Sequence, residues 1–226
     1  MILVNYADRG FVKSQKLNSD SGLLHGFDRV INYTNKNIDN DFYKNNSKIL
    51  SQTKGAGYWL WKPYIILKTL NCVNENSIIF YCDSGAEFIK NMTPIFEQIQ
   101  KANRGILIFK LSGHHKEKNY TRKDVINYIV GDDKNIIESD QHCASFIGVR
   151  NCQESRDIIS KWLSLCENPD LLLDDGSNTH RHDQSILSLL SKKLKLKTMN
   201  DPSQWGLHHK QTTEKDYFIY HHRKKT

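Results

Sequence analysis

The sequence predicts an α/β fold with a mainly parallel central sheet, and two observations carry that reading. Short apolar runs of strand length alternate with longer segments whose apolar residues recur at helical spacing, the signature of repeated β-α units. In addition, Ser77-Ile-Ile-Phe-Tyr-Cys-Asp-Ser-Gly85 ends abruptly in an acid, a small residue and a glycine. Such a strand end sets a carboxylate at the rim of the sheet, where open α/β sheets bind ligands.

Met1 to Tyr6 reads as the first strand, and Ala7-Asp-Arg-Gly10 as the loop leaving it. Phe11 to Leu24 is expected to be helical in its early part, with Gly26 to Tyr33 as the second strand. The polar stretch from Asp39 to Gln52 reads as surface helix. Ile65, Ile66, Leu67 and Leu70 lie near helical spacing in a helix expected to begin around Pro63, since proline suits a first turn. The strand ending at Asp83 follows. Thr93 to Ala102 then reads as a short amphipathic helix, Gly105 to Lys110 as a strand and Thr121 to Ile129 as a helix within a polar excursion. Cys143 to Arg150 is a strand, and Glu154 to Cys166 is a helix with Ile158, Ile159, Trp162 and Leu163 on one face. A last helix starts near Asp183 and runs to Leu194.

At 226 residues the chain has the size of one domain. Hydrophobic residues at 38% and charged residues at 25% place it among globular proteins and exclude a disordered one. The net charge of +7 is spread along the chain apart from the Lys192–Lys197 run and the basic end from His221 to Thr226; a basic nucleic-acid-binding module is the non-enzyme alternative, and the scatter of Lys and Arg argues against it. Five cysteines without a Cys-x-x-Cys spacing read as reduced thiols. No apolar run approaches the roughly 20 residues that span a bilayer, and the strand-like N-terminus lacks the charged and apolar regions of a signal peptide. A soluble, cytoplasmic protein is the expectation, with peripheral membrane contact as an added role for its basic surface.

Asp83 is the first candidate for chemistry, because a strand-end carboxylate can supply an oxygen ligand to Mn²⁺ or Mg²⁺. Gly55-Ala-Gly-Tyr-Trp-Leu-Trp-Lys-Pro63 combines a flexible turn, flat aromatics and a cation at a helix start. Lys62 with the adjacent backbone amides suits a phosphate, while Tyr58 and Trp61 offer surfaces for a base or sugar. In His180-Arg-His-Asp-Gln-Ser185, Asp183 is either a helix cap or a base and orienting group for an acceptor hydroxyl, and His182 and Gln184 can bond to sugar hydroxyls. His221 and His222 are candidate metal ligands beside Asp83, Arg223 is a candidate diphosphate contact, and His208-His209 is a second imidazole pair.

Gly55-x-Gly-Tyr-Trp-x-Trp-Lys-Pro63, Tyr81-x-Asp-x-Gly85, His182-Asp-Gln-Ser-Ile186 and His221-His-Arg223, in that order, resemble a group of small GT-A-fold glycosyltransferases of bacteria and large DNA viruses. Thr121 to Asp124 and Ala144 to Phe146 also match. The resemblance implies a GT-A-like, Rossmann-type α/β/α sandwich whose residues 1–110 bind a UDP- or GDP-type nucleotide sugar and whose residues 111–226 bind a glycan acceptor. It implies that Tyr6 and Ala7 line the nucleotide pocket, that Ser145 approaches the donor sugar and that Asp183 lies near the reacting carbon. The group's metal-binding Asp-x-Asp is reduced here to Asp83, because position 85 is Gly, with Glu87 the nearest other acid. Asp183 and Asp124 are the candidate bases for an inverting reaction. A nucleotidyltransferase on a related scaffold is the alternative enzyme, and it calls for a glycine- and Arg/Lys-rich loop after the first strand. Ala7-Asp-Arg-Gly10 corresponds to one only faintly.

Overall fold

The computed structural model describes residues 1–8, 10–111, 113–176, 180–209 and 217–222, without the side chains of 207–209. Six strands form the central sheet: β1 (Ile2–Tyr6), β2 (Arg29–Tyr33), β3 (Ile78–Cys82), β5 (Ile106–Lys110), β6 (His142–Arg150) and β7 (Lys197–Asn200). Their order is β2-β1-β3-β6-β5-β7. β6 is antiparallel to both of its neighbours, whereas β2, β1 and β3 run parallel to one another, as do β5 and β7. A separate ribbon pairs β4 (Ala86–Phe88) antiparallel with β8 (Ile219–His221). It ties the end of the chain to the turn after Asp83. β4 has too few residues to leave a periodic signal in the sequence.

Alternation along β3 explains the layered core. Ile78, Phe80 and Cys82 point to one face, where they join Phe27, Phe88, Phe96, Phe109 and Phe146. Ile79 and Tyr81 point to the other, beneath the helices Trp61–Cys72, Gln153–Cys166 and His182–Lys193. Both faces are therefore covered, as a largely parallel sheet requires. Trp162 is fully buried in the second layer, and its indole N–H donates to the carbonyl of Asp183 (3.1 Å). Among the described residues no helix is long and apolar enough to cross a membrane.

Most element boundaries fall close to those expected from the sequence, and three depart from it. The helix expected at Pro63 starts at Trp61, the one expected over Thr121 to Ile129 spans Lys123–Val130, and the second strand begins at Arg29 rather than Gly26. The segment expected to be helical only at its start is a full helix, Val12–Leu24, with no apolar periodicity because it docks through polar and small residues. Asn5 on β1 is fully buried, donates to Asn18 Oδ1 (2.8 Å) and accepts from Gln15 Nε2 (3.0 Å). Asn18 Nδ2 also donates to the carbonyl of Ala86 (2.8 Å), and Gln15 to that of Tyr33 (2.8 Å). Gly22 lets the helix approach the sheet, since a Cβ there would lie 2.6 Å from Leu3. Meanwhile Val12, Leu17, Leu23 and Leu24 face solvent.

That buried amide network gives the first prediction. Asn18→Ala removes the side-chain donor to the Ala86 carbonyl and one of the two acceptors of the Asn5 amide, which keeps Ser19 Oγ (3.2 Å), at a cost of about 2 kcal/mol. Urea denaturation should register this as a lower midpoint with an unchanged slope.

Candidate functional site

The site is assembled where β1 and β3 end, and an irregularity in β6 creates its wall. Ile108 on β5 pairs with Ile147, but the next residue, Phe109, pairs with Cys143. The bulge expels Ala144, Ser145 and Phe146 from that ladder and re-aims them, a recognised use of bulges beside sites. Ser145 then accepts from the Asp83 backbone N–H (2.9 Å), and the Ala144 carbonyl accepts from Lys62 Nζ (3.1 Å).

Lys62 is 3% exposed and stands between two acids. Its ammonium lies 3.3 Å from Asp83 Oδ1 and 3.2 Å from Asp183 Oδ2. Burial alone would lower the Lys62 pKa, but the two carboxylates outweigh it and hold the ammonium above the usual lysine range. Burial pushes the Asp183 carboxyl up to about 6 against the pull of Lys62, with Asp83 adding to the rise. Burial likewise raises the Tyr81 phenol, keeping its proton, which it donates to Asp83 Oδ1 (2.6 Å). Lys62, expected as a point charge for a phosphate at a helix start, is thus a buried counter-ion to two carboxylates at the wall of the site.

Two cavities open onto this cluster. One, of about 490 Å³, is walled by Lys62, Asp183, Gln184, Arg181 and His182. The other, of about 610 Å³, is walled by Tyr6, Asp8, Trp61 and Tyr81. Trp59, Asp83, Ser145 and His221 line both. Tyr6 and Trp61 stack on each other, with ring centroids 3.9 Å apart, and the Trp61 indole donates to the Gly55 carbonyl (2.9 Å). Gln184 is oriented at both ends, accepting from the Ala144 N–H (3.3 Å) and donating to Gln141 Oε1 (3.0 Å). Cys143 also lines the smaller cavity. Burial pushes its thiol up to about 12, so a thiolate nucleophile is absent there at neutral pH.

Other expected residues are placed differently. Ala7 is buried and lines neither cavity, and the neighbouring Asp8 lines the larger one. Tyr58 also lies outside both and donates its hydroxyl to Asp174 Oδ2 (3.1 Å). The His182 ring lines the smaller cavity; its Nδ1–H donates to the Leu172 carbonyl (2.8 Å), and burial lowers its pKa, so the ring is neutral. Asp183 is the second residue of its helix, after Arg181 and His182, and does not act as the cap. Asp124 pairs with Arg122 away from the cavities, and Glu87 sits opposite Tyr220 in the β4–β8 ribbon. His222 donates its backbone N–H to the Gly85 carbonyl (3.0 Å) and lines neither cavity. Arg223 and the side chains of His208 and His209 lie outside the described residues. Among the described residues, no group of three or more His, Cys, Asp and Glu side chains could hold a metal ion by itself.

The residues that sequence reasoning passed over are Trp59 and Arg181. Trp59 lies within the aromatic motif but was indistinguishable from a core tryptophan. Arg181 stands inside His180-Arg-His182, and its guanidinium covers the Tyr120 ring at 3.8 Å while Nη1 donates to Gln141 (3.3 Å).

No family model matches the chain, and no curated protein matches it in sequence. Its structure is similar to that of mouse xyloside xylosyltransferase 1 in its apo form, with a TM-score of 0.55 and 11% identity over 97% of this chain and 96% of that one. It is equally similar to the galactosyltransferase LgtC, solved with donor and acceptor sugar analogs, with a TM-score of 0.55 and 12% identity over 98% of this chain and 86% of that one. The fold is thus that of the GT-A glycosyltransferases.

The ion cluster yields two predictions. Lys62→Met strands the buried Asp183 charge and should cost about 3 kcal/mol or more. Adding Asp183→Asn to that variant should recover part of the loss, which a double-mutant cycle by chemical denaturation would measure. The second concerns pH. The Asp183 carboxyl titrates at about 6 in the folded protein against 3.8 as its ordinary value. The native state therefore holds the extra proton between those values, and the associated stability is present below about pH 4 and lost as pH rises through about 6. Asp183→Asn removes that dependence, so the unfolding free energy of the wild type relative to the variant should fall across this window.

Proposed function

We propose that the protein transfers a sugar from a nucleoside diphosphate donor, of UDP or GDP type, to a hydroxyl of a glycan acceptor. The observation that carries this reading is the meeting of two chemically different cavities at Asp83, Ser145 and His221. The larger one, with the Tyr6–Trp61 stack, suits a flat base and ribose at the carboxyl end of β1. The smaller one, with a buried acid, a fixed amide and a guanidinium, suits sugar hydroxyls. The likeness of fold to two glycosyltransferases supports the same reading.

Each residue has a role in this reading. Asp183 orients the acceptor hydroxyl or takes its proton, a task that a carboxyl titrating near 6 performs at neutral pH in its ionised form. Lys62 holds that carboxylate in place, together with Asp83. Gln184 uses one amide hydrogen on Gln141, leaving the second for a sugar hydroxyl. Arg181 adds positive charge at the smaller cavity, where charge develops as the glycosidic bond to the diphosphate breaks.

Asp83 and His221 are the residues that would hold a Mn²⁺ or Mg²⁺ ion. A hard cation demands about six ligands, mostly oxygen. One carboxylate and one imidazole therefore fit an ion whose remaining ligands come from the donor's diphosphate and water, and do not fit a permanently caged ion. When bound, such an ion neutralises charge on the departing diphosphate.

Thermal-shift measurements with UDP, GDP, CMP and their sugars, with and without Mn²⁺, provide the test. At a hundredfold excess over Kd, a true donor stabilises the native state by about 2.7 kcal/mol. For a chain of this size that corresponds to a rise of roughly 5–10 °C. Asp83→Ala should abolish most of the rise. If no nucleotide sugar shifts the midpoint and none is hydrolysed with Mn²⁺ present, the reading is wrong.

A further inference from the structure

Resting on the reading above, we infer that Trp59 selects the donor sugar: its indole is held as a fixed partition between the nucleotide cavity and the cavity of Asp183, and it discriminates by the size of the sugar. Of the four residues that line both cavities, the other three are Asp83, Ser145 and His221, so Trp59 contributes the bulky apolar surface at the junction. A sugar joined to a diphosphate at that junction must lie against this ring to face Asp183.

The backbone that places the ring is strained. Gly55, Ala56, Gly57, Tyr58 and Trp59 take φ of 57°, 50°, 97°, 51° and 58°, a full turn in the left-handed region. For residues bearing a Cβ this conformation costs about 1–2 kcal/mol each, so surrounding contacts must hold it. The glycines make the turn possible. At Gly55 a Cβ would lie 2.5 Å from the Trp59 ring, and at Gly57 one would lie 2.8 Å from Leu50 Cα. Strain of this kind persists where the surroundings over-determine it.

The clamp comes from the opposite side of the site. Trp59 stacks on the His182 imidazole with 5.7 Å between centroids and an 18° interplanar angle, while Tyr58 meets the same ring edge-on at 4.8 Å. His182 is itself at a φ of 52°. Asp174 accepts from Lys54 Nζ (2.8 Å) and Tyr58 Oη (3.1 Å), and its other oxygen lies 3.5 Å from His182 Nε2. Asp174 thereby ties Lys54 to Tyr58, the ring that meets His182 edge-on. A rigid side chain with two torsions, packed against Gly55 and stacked on His182, cannot swing aside for a larger substituent. Steric discrimination by such a wall amounts to roughly 10- to 200-fold for a methylene-sized difference.

The experiment compares nucleotide-sugar hydrolysis by wild type, Trp59→Ala and Trp59→Phe. The donors carry one nucleotide and a pentose, a hexose or an N-acetylhexosamine. Opening the partition should move the ratio of kcat/KM for the bulkier donors over the smallest one at least tenfold in favour of the bulkier. Trp59→Phe keeps the aromatic contact with His182 and should move the ratio in the same direction by less; it serves as the test if the alanine variant does not fold. An active wild type whose ratio is unmoved in the folded variants overturns the inference alone. A uniform loss for all donors also overturns it, because that is what a purely structural Trp59 would give. A wild type that hydrolyses no nucleotide sugar overturns the functional reading and this inference with it.

Discussion

A single buried ammonium organises the molecule. Lys62 reaches from the first turn of the helix Trp61–Cys72 to the carboxylate ending β3, the carboxylate opening the helix His182–Lys193 and the carbonyl that the β6 bulge turns inward. Burying the Lys62 and Asp183 charges costs several kcal/mol per ion, and pairing at 3.2 Å with each other and at 3.3 Å with the half-buried Asp83 offsets it. The three segments therefore cannot separate without exposing an unpaired charge. The cluster also sets the electrostatics of the site, because Asp183 keeps a raised pKa from burial while Lys62 keeps it ionisable near neutrality.

The irregular features of the fold gather at the same end of the sheet. The bulge in β6 delivers Ser145, the left-handed turn delivers Trp59 and a positive φ at His182 supports it. At the other side of β1, polar residues of the helix Val12–Leu24 bond to Asn5 and to the carbonyl of Ala86, just past the Asp83 turn. Regular strands and helices form the frame, and departures from regularity aim the side chains. This division fits a site whose geometry is over-determined by packing, as preorganised chemistry demands.

The β4–β8 ribbon has a related consequence where the two cavities meet. By pairing Ala86 with His221, it brings an imidazole from near the end of the chain to the wall that Asp83 forms. A wall that carries one acid there, because position 85 is Gly, thus gains a second polar group from a distant part of the sequence. Gln204 secures that strand by bonding both the N–H and the carbonyl of His221, at 2.9 and 2.8 Å.

The sequence by itself determined the layered α/β class, most of the strands and helices, and the candidacy of Asp83, Asp183 and Gln184. These follow from local signals: apolar alternation, helical spacing and an acid at a strand end. It reached only the early part of the helix Val12–Leu24, because periodicity reports apolar burial and that helix buries amides and hydroxyls instead. Tertiary structure alone decided that Lys62 is a counter-ion, that Trp59 rather than Tyr58 reaches the cavities, that Asp8 takes the place expected of Ala7 and that His221 lines the same cavities as Asp83 while His222 lines neither. Each of these depends on pairings between residues far apart in the chain, or on backbone torsions that a run of residue types does not encode. Charge, packing and register between segments settle them together.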